Sequence, residues 1–280
     1  MKVETAISNA CLELKKKSIR SPLLDSEILM AKVFNKSREF VLLNSKEIIK
    51  QKHYFYFQKL IEERLRGKPV AYIIGKKSFW KYDFDINENV LIPRPDTEII
   101  VEQVLKIYKN KEKINFLDVG TGSGCISLSI LKEKKDFLAT GVDINNHCFK
   151  ICKINALKLG VQNRFRFIKT DIDNLYKNKY DLIISNPPYI KKIDLKYLDR
   201  DVKDYEPLMA LDGGLDGLSK IRKVVNKSSD LIRKNGKLIL EIAFNQKFDV
   251  KKILTKKGFY INKIIKDFAM NDRCIISTKI

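Results

Sequence analysis

The chain has 280 residues, 44% of them hydrophobic and 32% charged, and 55 Lys+Arg against 34 Asp+Glu give a net charge of +21. That length suits two domains with real cores, and no run of eighteen apolar residues offers a membrane span. The five cysteines, Cys11, Cys125, Cys148, Cys152 and Cys274, are scattered and odd in number, which argues against a disulfide scaffold and predicts free thiols in a cytoplasmic protein.

Residues 1–70 read as a small, all-helical domain. The first residues carry scattered charges and no apolar stretch of the kind a secretory signal needs. Asp25-Ser26 before EILMAKVF, and Asn44-Ser45 before KEIIKQKHYFYFQKLIEERL, are N-cap signals followed by apolar residues at helical spacing. The aromatic set Tyr54, Phe55, Tyr56 and Phe57 could stack on a ligand, but a helix must turn half of it inward, so core is the preferred role.

Residues 71–98 read as a linker that contains a β-hairpin. The helices break at Gly67-Lys68-Pro69, and Lys77–Leu91 alternates, with its turn expected at Asn87–Asn89. The segment Ile92-Pro93-Arg94-Pro95-Asp96-Thr97-Glu98 is a stiff proline-framed loop, with Asp96 or Thr97 as the N-cap of the next helix.

Residues 99–280 alternate strand and helix, the pattern of an α/β, doubly wound sheet. Seven strands are expected, over 115–119, 137–142, 166–169, 180–185, 237–241, 259–266 and 273–279. After the first comes the glycine loop Gly120-Thr121-Gly122-Ser123-Gly124, and Asp143 closes the second. A glycine loop and an acid so placed suit an adenosine-containing ligand, the acid accepting from the ribose hydroxyls. Such a loop can also be a tight turn without a ligand, and Asp143 can also cap a helix. The spacing G-x-G-x-G, instead of G-x-G-x-x-G, disfavours a pyrophosphate cofactor. Asp118 adds negative charge beside the loop. S-adenosylmethionine fits these features, being cationic and free of phosphate. His147, Cys148 and Cys152 could share a helix face as metal ligands, but no second pair lies near them, so no metal site is expected.

The fourth strand, Tyr180–Ser185, stops at Asn186-Pro187-Pro188-Tyr189. Two prolines cannot continue a sheet ladder, and Pro187 holds Asn186 extended. The result is a rigid ledge at a strand's carboxyl end, where open α/β sheets bind ligands. The Asn186 side-chain oxygen and the Pro187 carbonyl supply two acceptors beside the flat ring of Tyr189. Two acceptors match the two hydrogens of a planar –NH₂ group. In a doubly wound sheet the first and fourth strands flank the switch point, so methyl donor and –NH₂ acceptor would meet there.

With these residues in view, the chain resembles the class I S-adenosylmethionine methyltransferases, and among them the peptide chain release factor glutamine methyltransferases. The resemblance runs through DSEILMAKVF, RLRGKPVAYIIGKKSFW, LIPRPDTE, DVGTGSG, GVDIN, SNPPYI, YEPLMAL and DFAMNDR. It implies a seven-stranded, mostly parallel methyltransferase sheet behind a helical substrate-recognition domain. It implies transfer of a methyl group to the side-chain amide of the glutamine in the Gly-Gly-Gln loop of class I release factors, which would be the partner. The cofactor positions carry over as Gly120, Thr121, Gly122, Ser123, Gly124, Asp143, Asp171, Ile172 and Asn186. Asn186, Pro187, Pro188 and Tyr189 would hold the substrate, with Asn186, Pro187 and Tyr189 catalytic. The chain departs from the family at Ile172, where an aromatic is usual, and at Ala243 and Met270, where glycines are usual. The competing reading is an exocyclic-amine methyltransferase for adenine or cytosine in DNA or RNA. The basic charge favours it, but it is spread roughly in proportion to length without an arginine-rich stripe. Only about fifty residues separate the ledge from the next clear strand, little room for a target-recognition domain, so nucleic acid is not expected as substrate.

Overall fold

The computed structural model describes residues 1–176 and 179–280. The chain divides into two compact units, Met1–Lys76 with Asp199–Tyr205, and Lys77–Leu198 with Glu206–Ile280.

The first unit is helical, with helices Val3–Lys16, Pro22–Phe34, Arg38–Leu43, Gln51–Leu65 and Val70–Ile74 around a core that includes Leu14, Leu29, Met30, Val41, Phe57 and Leu60. Both expected caps lie elsewhere. The second helix begins at Pro22, whose fixed φ and missing N–H suit a first turn, so Asp25 and Ser26 fall inside it. Asp25 is buried there and accepts from Arg64 Nε at 2.8 Å, while Arg64 Nη1 donates to the carbonyls of Gly67 and Lys68. The fourth helix starts at Gln51, because Ile48 is taken up in a bridge to Lys2. Of the aromatic set, Phe57 is core, Tyr54 packs against it, and Phe55 and Tyr56 are exposed. The segment Asp199–Tyr205, with the short helix Arg200–Lys203, belongs to this unit through Arg20 Nη2–Asp199 (2.9 Å) and Tyr205 Oη–Arg66 O (3.0 Å).

The second unit opens with a hairpin, β1 (Lys76–Phe79) and β2 (Tyr82–Asp85). Its turn falls at Trp80-Lys81 instead of Asn87–Asn89. Trp80 takes a left-handed φ of 57°, held by its N–H on Glu98 Oε1 (2.8 Å) and its indole N–H on Glu133 Oε1 (3.0 Å). The large sheet follows: β3 (Asn115–Val119), β4 (Leu138–Asp143), β5 (Phe165–Lys169), β6 (Tyr180–Ser185), β7 (Ile232–Glu241), β8 (Phe259–Lys266) and β9 (Asp272–Lys279). Its order is β5-β4-β3-β6-β7-β9-β8, parallel except for β9, which runs antiparallel between β7 and β8. Leu182, Ile183 and Ile184 are fully buried, as expected of a strand covered on both faces. Each such side chain contributes about 1.5–3 kcal/mol by leaving water. One core, with Phe116, Leu182 and Ile184, lies on one face of the sheet, and another, with Leu117, Ile183 and Leu238, lies on the other. Strands β3 and β6 are neighbours, so the order reverses between them. No helix among the described residues is long and apolar enough to cross a membrane.

Candidate active site

A cleft of about 930 Å³, including its open mouth, lies at the carboxyl ends of β3, β4 and β6. Gly120, Gly122, Asp143, Asp171, Ile172, Asn186, Pro187 and Pro188 all line it, so most of the expected residues meet in one place. The glycine loop does so only in part. Gly120 (φ 74°) and Gly122 (φ 55°) need left-handed backbone, and a Cβ at either would meet no protein atom within 4 Å. Thr121, Ser123 and Gly124 do not line the cleft. Thr121 turns beneath the loop and donates to Asp118 Oδ2 at 2.7 Å. A Cβ at Gly124 would meet Cys152 Sγ at 2.6 Å, so this glycine permits close packing. The carbonyl of Ser123 accepts from buried Asn155, which also ties down the backbone of Asp85.

Asp118 likewise sits under the loop instead of in the cleft. Burial pushes its carboxyl up to about 6, against hydrogen bonds from Thr121 and Ser127 that hold it down. Asp143 does reach the cleft. Its two oxygens accept from the backbone N–H groups of Gly122 (3.0 Å) and Asn145 (2.9 Å), leaving lone pairs for two further donors. Burial raises its pKa, and those backbone bonds oppose the rise. Asp171 is partly engaged already. Burial would raise its pKa, but the bonds from Lys223 Nζ (2.6 Å) and the Asp173 N–H lower it overall. Ile172 is buried at the cleft wall.

The ledge is built from β6. Ser185 Oγ donates to the Val119 carbonyl at 2.8 Å, clamping the ends of the two switch-point strands together. Beyond it, Asn186 Nδ2 donates to Thr97 Oγ1 at 3.1 Å. Neither Asn186 Oδ1 nor the Pro187 carbonyl accepts a hydrogen bond among the described residues. Tyr189 is outside the cleft lining; its hydroxyl donates to Glu241 Oε1 at 3.3 Å. Its carbonyl accepts from Gln246 Nε2 (3.2 Å), and the 211–217 loop closes over it. A Cβ at Gly217 (φ 76°) would come within 2.5 Å of the Tyr189 carbonyl oxygen, so only glycine lets that loop approach.

Several of these partners were not legible as site residues. Thr97 reads as a helix cap, yet it makes no capping bond, because its hydroxyl is engaged by Asn186. Glu241 ends a strand two residues before the departure Ala243 and gives no local signal. Arg94 of LIPRPDTE bonds the buried Glu206 of YEPLMAL, so two motifs distant in sequence brace one wall.

A doubly wound sheet of this order, with a glycine loop and an acid-tipped strand beside the proline-framed end of β6, defines a methyltransferase of the class I fold. The PrmC N-terminal domain model matches residues 5–75, and the methyltransferase small domain model matches residues 96–200. A release factor glutamine methyltransferase of Fusobacterium nucleatum is 38% identical, over 95% of this chain and 76% of that protein. One from Clostridium botulinum is 39% identical, over 95% of both chains. Among solved structures, a methyltransferase from Pyrococcus furiosus shares the fold, with TM-score 0.54 and 20% identity over 78% of this chain and 95% of that one. The chain belongs to the release factor glutamine methyltransferase family.

The methyl donor is S-adenosylmethionine, and the cleft suits it. The space beside Gly120 and Gly122 is clear of protein, and Asp143 retains acceptor capacity for the ribose hydroxyls.

Proposed function

We propose that this protein methylates the side-chain amide nitrogen of the glutamine in the Gly-Gly-Gln loop of class I release factors, in the cytoplasm, with Asn186 and Pro187 holding the amide. One observation carries the assignment of the residues. Asn186 Oδ1 and the Pro187 carbonyl are two neighbouring acceptors without partners among the described residues, while Asn186 Nδ2 is tied back to Thr97. A primary amide brings two N–H donors and satisfies both.

S-adenosylmethionine, when bound, supplies an electrophilic methyl group. The protein's residues work on the amide. An amide nitrogen is a weak nucleophile because its lone pair is delocalised into the carbonyl. Asn186 and Pro187 fix both N–H bonds, and so the direction of the nitrogen lone pair. As the nitrogen gains positive charge its N–H groups become stronger donors, so these bonds tighten in the transition state. The displaced proton leaves to water, since the nearest carboxylate of the ledge, Glu241, is buried behind Thr97 and Tyr189. Tyr189 acts here by anchoring the ledge, not by lining the cleft.

Grip on the body of the release factor is assigned to the N-terminal unit, which exposes Leu23, Leu24, Leu43 and Ile48. Purified protein should transfer a labelled methyl group from S-adenosylmethionine to unmethylated release factor and leave unmethylated DNA unlabelled. Labelled DNA with unlabelled release factor would refute the proposal.

A further inference from the structure

The ledge cannot hold itself in place. Pro187 and Pro188 have no N–H to give to a neighbour, and the Pro187 carbonyl must stay unpaired to receive the substrate amide. The direction of that carbonyl is therefore set from the two ends of the segment. Upstream, the end of β6 and the bond from Asn186 Nδ2 to Thr97 Oγ1 fix the chain. Downstream, the Ile190 N–H donates to the Leu211 carbonyl at 3.2 Å, and the Tyr189 carbonyl is held by Gln246.

Gln246 immediately precedes helix Lys247–Lys256 and is 4% exposed. Its Nε2 donates to the Tyr189 carbonyl at 3.2 Å and to the Gly217 carbonyl at 3.0 Å, and its Oε1 accepts from the Ala243 N–H at 3.1 Å. Three pieces of chain thus meet on one buried amide: the ledge, the 211–217 loop and the segment that leaves β7. The orientation of that amide is unambiguous. Turned over, its oxygen would face two carbonyls and its NH₂ group would face an N–H. Gly217 makes room for the junction, since a Cβ there would lie 2.5 Å from the Tyr189 carbonyl oxygen and 2.8 Å from Gln246 Nε2. Tyr189, Gly217 and Gln246 all stand outside the cleft lining.

We propose that Gln246 is a positioning residue for the methyl transfer: by joining the Tyr189 carbonyl to the Gly217 carbonyl and the Ala243 N–H, it fixes the downstream end of the ledge and so aims the Pro187 carbonyl at the substrate amide. Gln246 touches neither substrate nor cofactor. Its effect passes through Tyr189 and Pro188, whose ring leaves few rotations between anchor and acceptor. Without the anchor the Pro187 carbonyl turns from the second N–H of the amide, and the nitrogen lone pair is no longer held in line with the methyl group. A misplacement of about 1 Å caused by a change remote from the chemistry costs about 10²-fold in rate. This rests on the reading of Asn186 and Pro187 given above.

The test compares full-length Gln246→Met, Gly217→Ala and Asn186→Ala with the wild type, and with Leu254→Val and Gly214→Ala as controls. Methionine keeps the length of Gln246 without its donors, and the Cβ of Gly217→Ala presses on the same carbonyl from the opposing loop. Leu254→Val disturbs a fully buried position about two turns further along the same helix. Gly214→Ala strains the same loop at φ 89°, where a Cβ would meet only Ser219 within 4 Å. Gln246→Met and Gly217→Ala should each lower kcat toward release factor by about tenfold to a hundredfold, with KM for release factor and Kd for S-adenosylmethionine within about threefold of wild type. Both controls should keep kcat within about threefold, a split that loss of stability alone does not produce. A kcat in Gln246→Met and Gly217→Ala no lower than in their controls, while Asn186→Ala is inactive, would overturn the inference and leave the ledge assignment standing. An active Asn186→Ala would overturn both. If Gln246→Met does not fold, Gly217→Ala against Gly214→Ala decides by the same comparison.

Discussion

Glu241→Gln should make the protein more stable at neutral and alkaline pH. Glu241 is fully buried, and its pKa rises from 4.5 to about 7, chiefly through burial. An acid whose pKa is raised on folding holds its proton more tightly in the folded state. Ionising it therefore costs stability, with no penalty below the unfolded value and the full penalty above the folded one. A shift from 4.5 to about 7 corresponds to about 3 kcal/mol at 1.36 kcal/mol per unit. Glutamine does not ionise. The stability advantage of the variant over wild type should thus widen by about 3 kcal/mol as pH rises from below 4.5 to above 7, and stay level outside that window. The shift of Asp118 is common to both proteins and cancels in the difference. Urea unfolding across this pH range measures it, and Trp80, the only tryptophan, reports on the unit that contains Glu241. A gap that stays constant with pH would show that Glu241 carries no raised pKa, and the reasoning would fail.

Asp143→Ala should weaken S-adenosylmethionine binding by about 1.5–3 kcal/mol, as for hydrogen bonds to a charged group, and calorimetry at wild-type affinity would remove Asp143 from the site. Met270 sits at φ 64° and is largely exposed, so Met270→Gly should raise stability by about 1 kcal/mol in urea melts by relieving left-handed strain. Paired substitution of exposed Leu43 and Ile48 by Asp should raise KM for release factor far more than it lowers kcat, the mark of lost uniform binding; an unchanged KM would move the grip elsewhere. Point changes are preferable to removing residues 1–70, because Arg20, Arg64 and Arg66 hold the segment Asp199–Tyr205 within the same unit.

Much of this architecture is written in local pattern. Short apolar runs such as Leu182–Ile184, closed by glycines, acids or prolines, reveal parallel strands because both faces of the sheet are covered. The ledge is legible because Pro187 and Pro188 leave the backbone so little freedom. What was not legible depends on partners distant in sequence. Asp25 reads as a cap but is a buried partner of Arg64, 39 residues away. Thr97 reads as a cap but serves Asn186, 89 residues away. The hairpin turn moves to Trp80 because Glu98 and Glu133, both remote, hold it there. Met270, where the family resemblance implies glycine, takes the left-handed backbone that glycine adopts most easily, a conformation that a methionine in the sequence does not announce.

The proposed role of Asn186 is to hold the substrate amide in the transition state while contributing little to cofactor binding. It is tested most directly by measuring kcat toward release factor and the Kd for S-adenosylmethionine on one preparation of Asn186→Ala. The expected result is a kcat lower by about 10²–10³ with Kd nearly unchanged, the loss that follows removal of one preorganised partner of the transition state. Turnover within a few-fold of wild type would contradict it, because the ledge would then be a structural turn and not the seat of the reaction.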